Sequence, residues 1–146
     1  MSGGKEFPDR IPAQPSAEGL LDALKYDSDG LVTMVVQDAG DGAVLMVAFA
    51  DRNAMRKTLE TGLMHYYSRS RKKMWLKGEE SGHTQKVVSL AVDCDGDAIL
   101  AKVQQISGAC HMGFRSCFAF RIDGNGRVEV IGEKLFDPKD VYHKKK

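Results

Sequence analysis

Cysteine is scarce in this chain: three among 146 residues, an odd number, with no Cys-x-x-Cys pair. That argues against a disulfide-built secreted scaffold and points to a reducing cytoplasm. It also removes the usual signal for a zinc ribbon or a thioredoxin-like motif. No apolar run approaches the ~20 residues needed to cross a bilayer. Residues 1–14 lack an apolar core, so no secretion signal is expected. Neither charge dominates: 21 Lys and Arg face 20 Asp and Glu, for a net charge of +1. A nucleic-acid binder usually carries a basic stripe, and here the basic runs are short, at 69–73 and 144–146. Internal repeats and low-complexity segments are absent. The length fits one domain with a real core.

What is present reads as an α+β chain, mostly antiparallel sheet with a few short helices. Residues 1 to about 15 carry Gly3, Gly4, Pro8, Pro12 and Pro15 and read as a loose arm. Ser16 can cap a short helix with Leu20, Leu21 and Leu24 on one side. Apolar runs at 31–37 and 43–49 flank a turn-forming stretch, 38–42, and predict a hairpin. Asp51 caps a second helix that stops at Gly62, with Met55 and Leu59 facing the core. Further strands are expected at 63–68, 87–92, 98–103, 118–122 and 127–131. The organisation expected is an arm and short helix (1–25), one domain (26–132) and a polar tail, mobile at its end (133–146).

The densest chemistry lies in Asp93-Cys94-Asp95-Gly96-Asp97, between two aliphatic runs. On an extended backbone the three aspartates share one side and Cys94 points to the other. Carboxylates this close repel one another unless solvated or bound to a cation. Hard cations such as magnesium or calcium take such oxygens. The calcium-loop pattern fails, because Ala98 stands at its glycine position and Gln104 at its final glutamate. An acidic turn facing water is the plain alternative.

Cys94, Cys110 and Cys117 could hold zinc, and three ligands leave open the position that a catalytic zinc requires. His111 could close it, or act separately beside Cys110. Three buried free thiols, behaving as small apolar residues, are the other reading. Ahead of the three cysteines, at 68–83, lies a basic, hydroxyl-rich segment. Arg69 and Arg71 are two apart, as are Ser68 and Ser70, and forks and hydroxyls of this kind suit phosphate oxygens. Trp75 could stack on a flat heterocycle, with Lys77 on the same strand face. A solvated basic edge strand with Trp75 in the core fits the same residues. His65 and His83 read as structural.

Together the runs HYYSRSRKKMWLKGEESGHTQKVV, DCDGDAILAKV and GACHMGFRSCF resemble phosphoribosyl-AMP cyclohydrolase of histidine biosynthesis. The resemblance spans about residues 30–120, in order and at tight spacing, and implies a monofunctional form. It implies hydrolysis of the adenine ring of 1-(5-phosphoribosyl)-AMP between N1 and C6, the third step of that pathway. It implies zinc on Cys94, Cys110 and Cys117, magnesium on Asp93, Asp95 and Asp97, and a cytoplasmic homodimer with metals at its interface. None of these six positions departs from the family pattern.

Within that frame His111 is the candidate proton shuttle, since an imidazole titrates in the right range. Arg69, Ser70, Arg71, Trp75, Lys77 and Arg115 are the candidate substrate-binding residues. No nucleic-acid or membrane partner is expected. Cys94 is expected to come from one chain, with Cys110 and Cys117 from the other. Two other functions compete: a zinc-stabilised binding module without catalysis, which predicts a closed metal site, and a redox or free-thiol protein, which predicts no metal.

Overall fold

Burial alternates along the first strand run: Val32, Met34 and Val36 are buried, and the residues between them are half-buried. That period of two is the mark of a strand with one face on the core. The structure, a computed structural model, describes residues 6–11 and 13–142, the last of them by backbone only. In chain order the elements are α1 (Phe7–Arg10), α2 (Ala17–Ala23), β1 (Val32–Asp38), β2 (Val44–Ala50), α3 (Arg52–Thr61), β3 (His65–Ser68), β4 (Lys73–Leu76), β5 (Gln85–Val92), β6 (Ala98–Gln105), β7 (Phe120–Ile122), β8 (Val128–Val130) and α4 (Pro138–Tyr142).

Four strands form the main sheet in the order β2-β1-β6-β5. The expected β1–β2 hairpin is antiparallel, with Val32 opposite Ala50 and Val36 opposite Met46. Strands β5 and β6 also pair antiparallel, with Val92 opposite Ile99, and the acidic stretch joins them. The centre is the exception to an antiparallel pattern. There β1 and β6 run parallel, with Met34 opposite Ile99 and Val36 opposite Ala101. Parallel neighbours need a long crossover, here supplied by everything from β2 to β5. The pairs β3–β4 and β7–β8 form two small sheets of their own, both antiparallel. The architecture is α+β, mostly antiparallel, with short helices.

Helix α3 starts where the Asp51 side chain accepts from the amide of Ala54 at 2.8 Å. It ends at Gly62, whose φ of 76° is left-handed and suits glycine. Its Ala54 and Met55 enter the core with Leu21 and Leu24 from the α2 segment. Ser16 caps α2 as expected, accepting from Gly19 at 3.0 Å. Among the described residues no helix is long and apolar enough to cross a membrane.

Two expectations change. Leu59 does not go into the core: it is 39% exposed, and the buried residue on that turn is Thr58. Thr58 Oγ1 accepts from the amide of His65 at 2.9 Å, so this helix face needs a hydroxyl where the spacing suggested an alkyl group. The arm is anchored, because Phe7 of α1 joins the core cluster. The start of the polar tail is bonded to the loop after β6. The amide of Arg115 donates to Glu133 O and that of Leu135 to Gly113 O, both at 2.7 Å. Residues 1–5, Pro12 and the basic end 144–146 lie outside the described residues.

Candidate active site

The acidic stretch is a turn and not an extended strand. Asp93 Oδ1 accepts from the amides of Asp97 at 3.1 Å and Ala98 at 3.3 Å. The amide of Gly96 closes on Asp93 O at 3.0 Å. Partial burial acts to raise the Asp93 pKa, and the donors from Asp97, Ala98 and Gly96 outweigh it, so the carboxyl sits below its usual value. Ligand oxygens of Asp93, Asp95 and Asp97 all lie within 4.8 Å of one another. The convergence expected from alternation is therefore present, produced by the turn. An exposed oxygen triad of this kind fits a hard divalent ion such as magnesium.

Gly96 makes the turn possible in two ways. Its φ is 76°, and a Cβ there would overlap the ring of Phe7. The amide of Lys25 also donates to Gly96 O at 2.7 Å. Cys94 sits in this turn and is exposed.

The other two thiols lie on the loop after β6. Its backbone folds back on itself: Gly113 N donates to Cys110 O at 2.9 Å, and Cys110 N to Phe114 O at 3.1 Å. Cys117 N donates to Leu45 O at 2.7 Å, and Ser116 Oγ to Val44 O at 2.7 Å, which ties the loop to β2. Cys110 and Cys117 hydrogen-bond through their side chains. Part of Cys117 reaches solvent, yet burial around the sulfur, followed by the neighbouring Cys110, pushes its pKa up to about 11. The Lys77 ammonium acts the other way and does not offset this, so such a thiol stays protonated near neutrality unless a metal ion binds it, and a soft divalent ion is the one that sulfur prefers. Among the described residues the aspartates form the one cluster of three metal-ligating side chains. Within one chain Cys94 does not join the two sulfurs.

Two cavities lie here, and this loop borders one of them. One, of about 590 Å³, is lined by Trp75, Lys77, Arg71, His111 and Cys117, among others. The other, of about 420 Å³, is lined by Arg69, Ser70, Arg71, Trp75, Tyr67 and Phe49. Arg71 and Trp75 border both. Trp75 rests one side on the core, tilted against Tyr66 with centroids 5.1 Å apart. Arg69 lies 4.1 Å over the Phe49 ring. Ser68 Oγ accepts from the amide of Arg71 at 3.1 Å, which shapes the turn between β3 and β4. Together the two spaces have the size and the cationic, aromatic lining that suit a nucleotide.

Arg115 does not reach either cavity. Its guanidinium pairs with Asp41 at 2.9 Å and Asp38 at 3.4 Å, on the turn between β1 and β2. His65 is buried, its Nδ1 2.8 Å from Leu63 O, as a structural histidine should be. Several contributors had no local sequence signal. Pro138 lines the larger cavity. Phe136 meets the His83 ring edge-on at 4.6 Å. Beneath lies a buried chain in which Tyr66 Oη donates to Gln85 at 2.5 Å and Gln85 Nε2 to Gln105 at 2.7 Å. Tyr66 is fully buried, and burial raises its pKa, with Cys117 adding to this.

Fold and site define a class: a single α+β domain carrying a nucleotide-sized cleft beside a sulfur pair, with an oxygen triad on a separate turn. Comparison with known proteins is specific. The family model for phosphoribosyl-AMP cyclohydrolase matches residues 46–119. The chain is 57% identical over 122 residues to the phosphoribosyl-AMP cyclohydrolase of Methanococcoides burtonii, covering 84% of this chain and 98% of that one. It is 54% identical over 125 residues to that of Pelotomaculum thermopropionicum, covering 86% and 97%. With that of Azoarcus sp. it shares 51% over 123 residues, covering 84% and 94%. The chain belongs to the phosphoribosyl-AMP cyclohydrolase family, whose members are hydrolases of histidine biosynthesis.

Proposed function

We propose that this chain adds water across the N1–C6 bond of the adenine ring of 1-(5-phosphoribosyl)-AMP. The water oxygen becomes the carboxamide oxygen at C6, the bond to N1 breaks, and N1 stays on the formimino carbon with a proton. The observation that carries the reading is one shared wall: Cys117, His111, Trp75 and Arg71 border a single cavity.

Cys110 and Cys117 would hold zinc with Cys94 of the partner subunit, and Asp93, Asp95 and Asp97 would hold magnesium. Zinc, when bound, supplies an acidified water near neutral pH, and magnesium offsets phosphate charge. The rest is done by side chains. Trp75 offers a face for the adenine ring, and Arg69, Ser70 and Arg71 offer donors for a phosphate. His111 is exposed at the cavity and next to Cys110, where it can carry a proton to N1 as the ring opens.

A homodimer with shared metal sites, in the cytoplasm, is part of this proposal. Two observations support it: the three thiols do not meet within one chain, and the β7–β8 hairpin leaves Phe120, Ile122, Val128 and Val130 each more than half exposed. An apolar surface of that kind suits a stable subunit contact.

The test is metal analysis of variants alongside turnover. Cys110→Ala or Cys117→Ala should lose zinc and nearly all activity. Asp95→Asn should weaken the response to magnesium and keep most of its zinc. Equal zinc loss in both would merge the two sites and sink the assignment.

A further inference from the structure

We propose that Lys77 is a positioning residue of the sulfur loop and not a phosphate ligand. The inference rests on the reading that Cys110 and Cys117 hold zinc.

The geometry begins with the backbone. Lys77 follows β4 directly, and its amide donates to Met64 O at 3.1 Å, so the root of the side chain is fixed. Its ammonium donates to the carbonyl of Ala109 at 2.6 Å. A bond from a charged donor is roughly twice as strong as a neutral one. Ala109 is 2% exposed and immediately precedes Cys110. Its amide donates the other way, to Arg115 O at 2.9 Å. The peptide entering the first sulfur ligand is thereby held from both sides, across 32 residues of chain on the lysine side.

His83 stands beside the same approach. Its ring lies near the carbonyl of Gly108, the residue before Ala109, and close enough to feel the Lys77 charge. Phe136 packs on its edge. The ammonium of Lys77 is the group that holds a carbonyl on the approach to Cys110.

Charge gives the second argument. Three thiolates and one divalent ion sum to a single negative charge, which weakens the ion's pull on electrons. A half-buried ammonium beside Cys110 and Cys117 offsets that charge where solvent screening is weak. A lysine serving phosphate is expected to be exposed, as Arg69 and Arg71 are, whereas Lys77 is half-buried. Partners that orient metal ligands in this way typically change metal affinity or activity 10–100-fold, roughly, when removed.

The experiment uses the full-length protein with zinc and magnesium. Zinc affinity is measured by chelator competition, and kcat and KM are measured separately, for wild type, Lys77→Met and Lys77→Gln. Trp75 fluorescence reports folding beside the substituted position. Lys77→Met should bind zinc about 10-fold or more weakly and lose kcat, with KM little changed. Lys77→Gln keeps an N–H donor for Ala109 and loses the charge, so it should stay folded and bind zinc several-fold more weakly. Wild-type zinc affinity in both variants with a raised KM would make Lys77 a phosphate ligand and overturn the proposal. Wild-type protein that binds no zinc at all would overturn this proposal together with the reading beneath it.

Discussion

Gly96→Ala is the sharpest structural test of how the acidic turn is held. The perturbation has two parts. An L residue in the left-handed conformation costs roughly 1–2 kcal/mol, and Gly96 has φ of 76°. The new Cβ would also overlap the Phe7 ring, which is 7% exposed in the core. Driving a buried phenyl into water loses about 1.5–3 kcal/mol. The sum is about 2.5–5 kcal/mol, a large share of the roughly 5–15 kcal/mol that holds a domain together. Urea unfolding of the full-length chain measures it. Thermal unfolding should fall by about 2–4 °C for each kcal/mol at this size. Phe7→Ala supplies the control. With the ring gone, Gly96→Ala should cost only the backbone part, about 1–2 kcal/mol. The two substitutions should therefore couple by about 2 kcal/mol, well outside ordinary additivity. Additive costs would show that Phe7 does not brace the turn and would refute the reasoning.

His111→Asn should keep its zinc and lose roughly 100-fold in kcat, the scale of general acid–base help; retained turnover would make the residue structural. Arg115→Gln should leave KM unchanged, because Arg115 lines neither cavity; a raised KM would return it to the substrate. The same variant should lower the melting temperature near neutral pH. The Arg115 hydrogen bond, with the amide of Ala43, holds the Asp41 carboxyl below its usual value near 3.8. The contribution is therefore full above that value and lost as pH falls through the folded pKa, so the gap to wild type should close in acid. A gap that persists there would remove the ion pair as its cause. Finally, Cys94→Ala and Cys110→Ala chains, each inactive alone, should recover about a quarter of wild-type activity when unfolded and refolded together, since half the dimers are mixed and each has one whole site. No recovery despite free exchange would put all three thiols in one chain.

Local chemistry was the legible part. The aliphatic runs around Asp93–Asp97, the turn at 38–42 and the caps at Ser16 and Asp51 each act within a few residues, and each formed where expected. The basic segment also kept its company, since Arg69, Ser70, Arg71 and Trp75 share a cavity. Distance hid the rest. Arg115 meets Asp41 from 74 positions along the chain, and no spacing rule links them. Phe7 sits in an arm whose prolines read as loose and Phe136 in a tail that reads as polar, and only packing on Gly96 and His83 gives them a role. The parallel pairing of β1 with β6 follows from a crossover that periodicity cannot reveal. The separation of Cys94 from the sulfur pair was readable in outline, because an acidic turn and a separate loop carry them; its extent required the fold.

The central claim is ring hydrolysis without deamination, and the product decides it. Purified protein with zinc and magnesium would be mixed with phosphoribosyl-AMP in heavy-oxygen water and the product weighed by mass spectrometry. The product should be the substrate plus one water, with heavy oxygen in the carboxamide and every nitrogen retained. Release of ammonia with a closed ring carrying oxygen at C6, or an unchanged substrate with both metals present, would contradict the account.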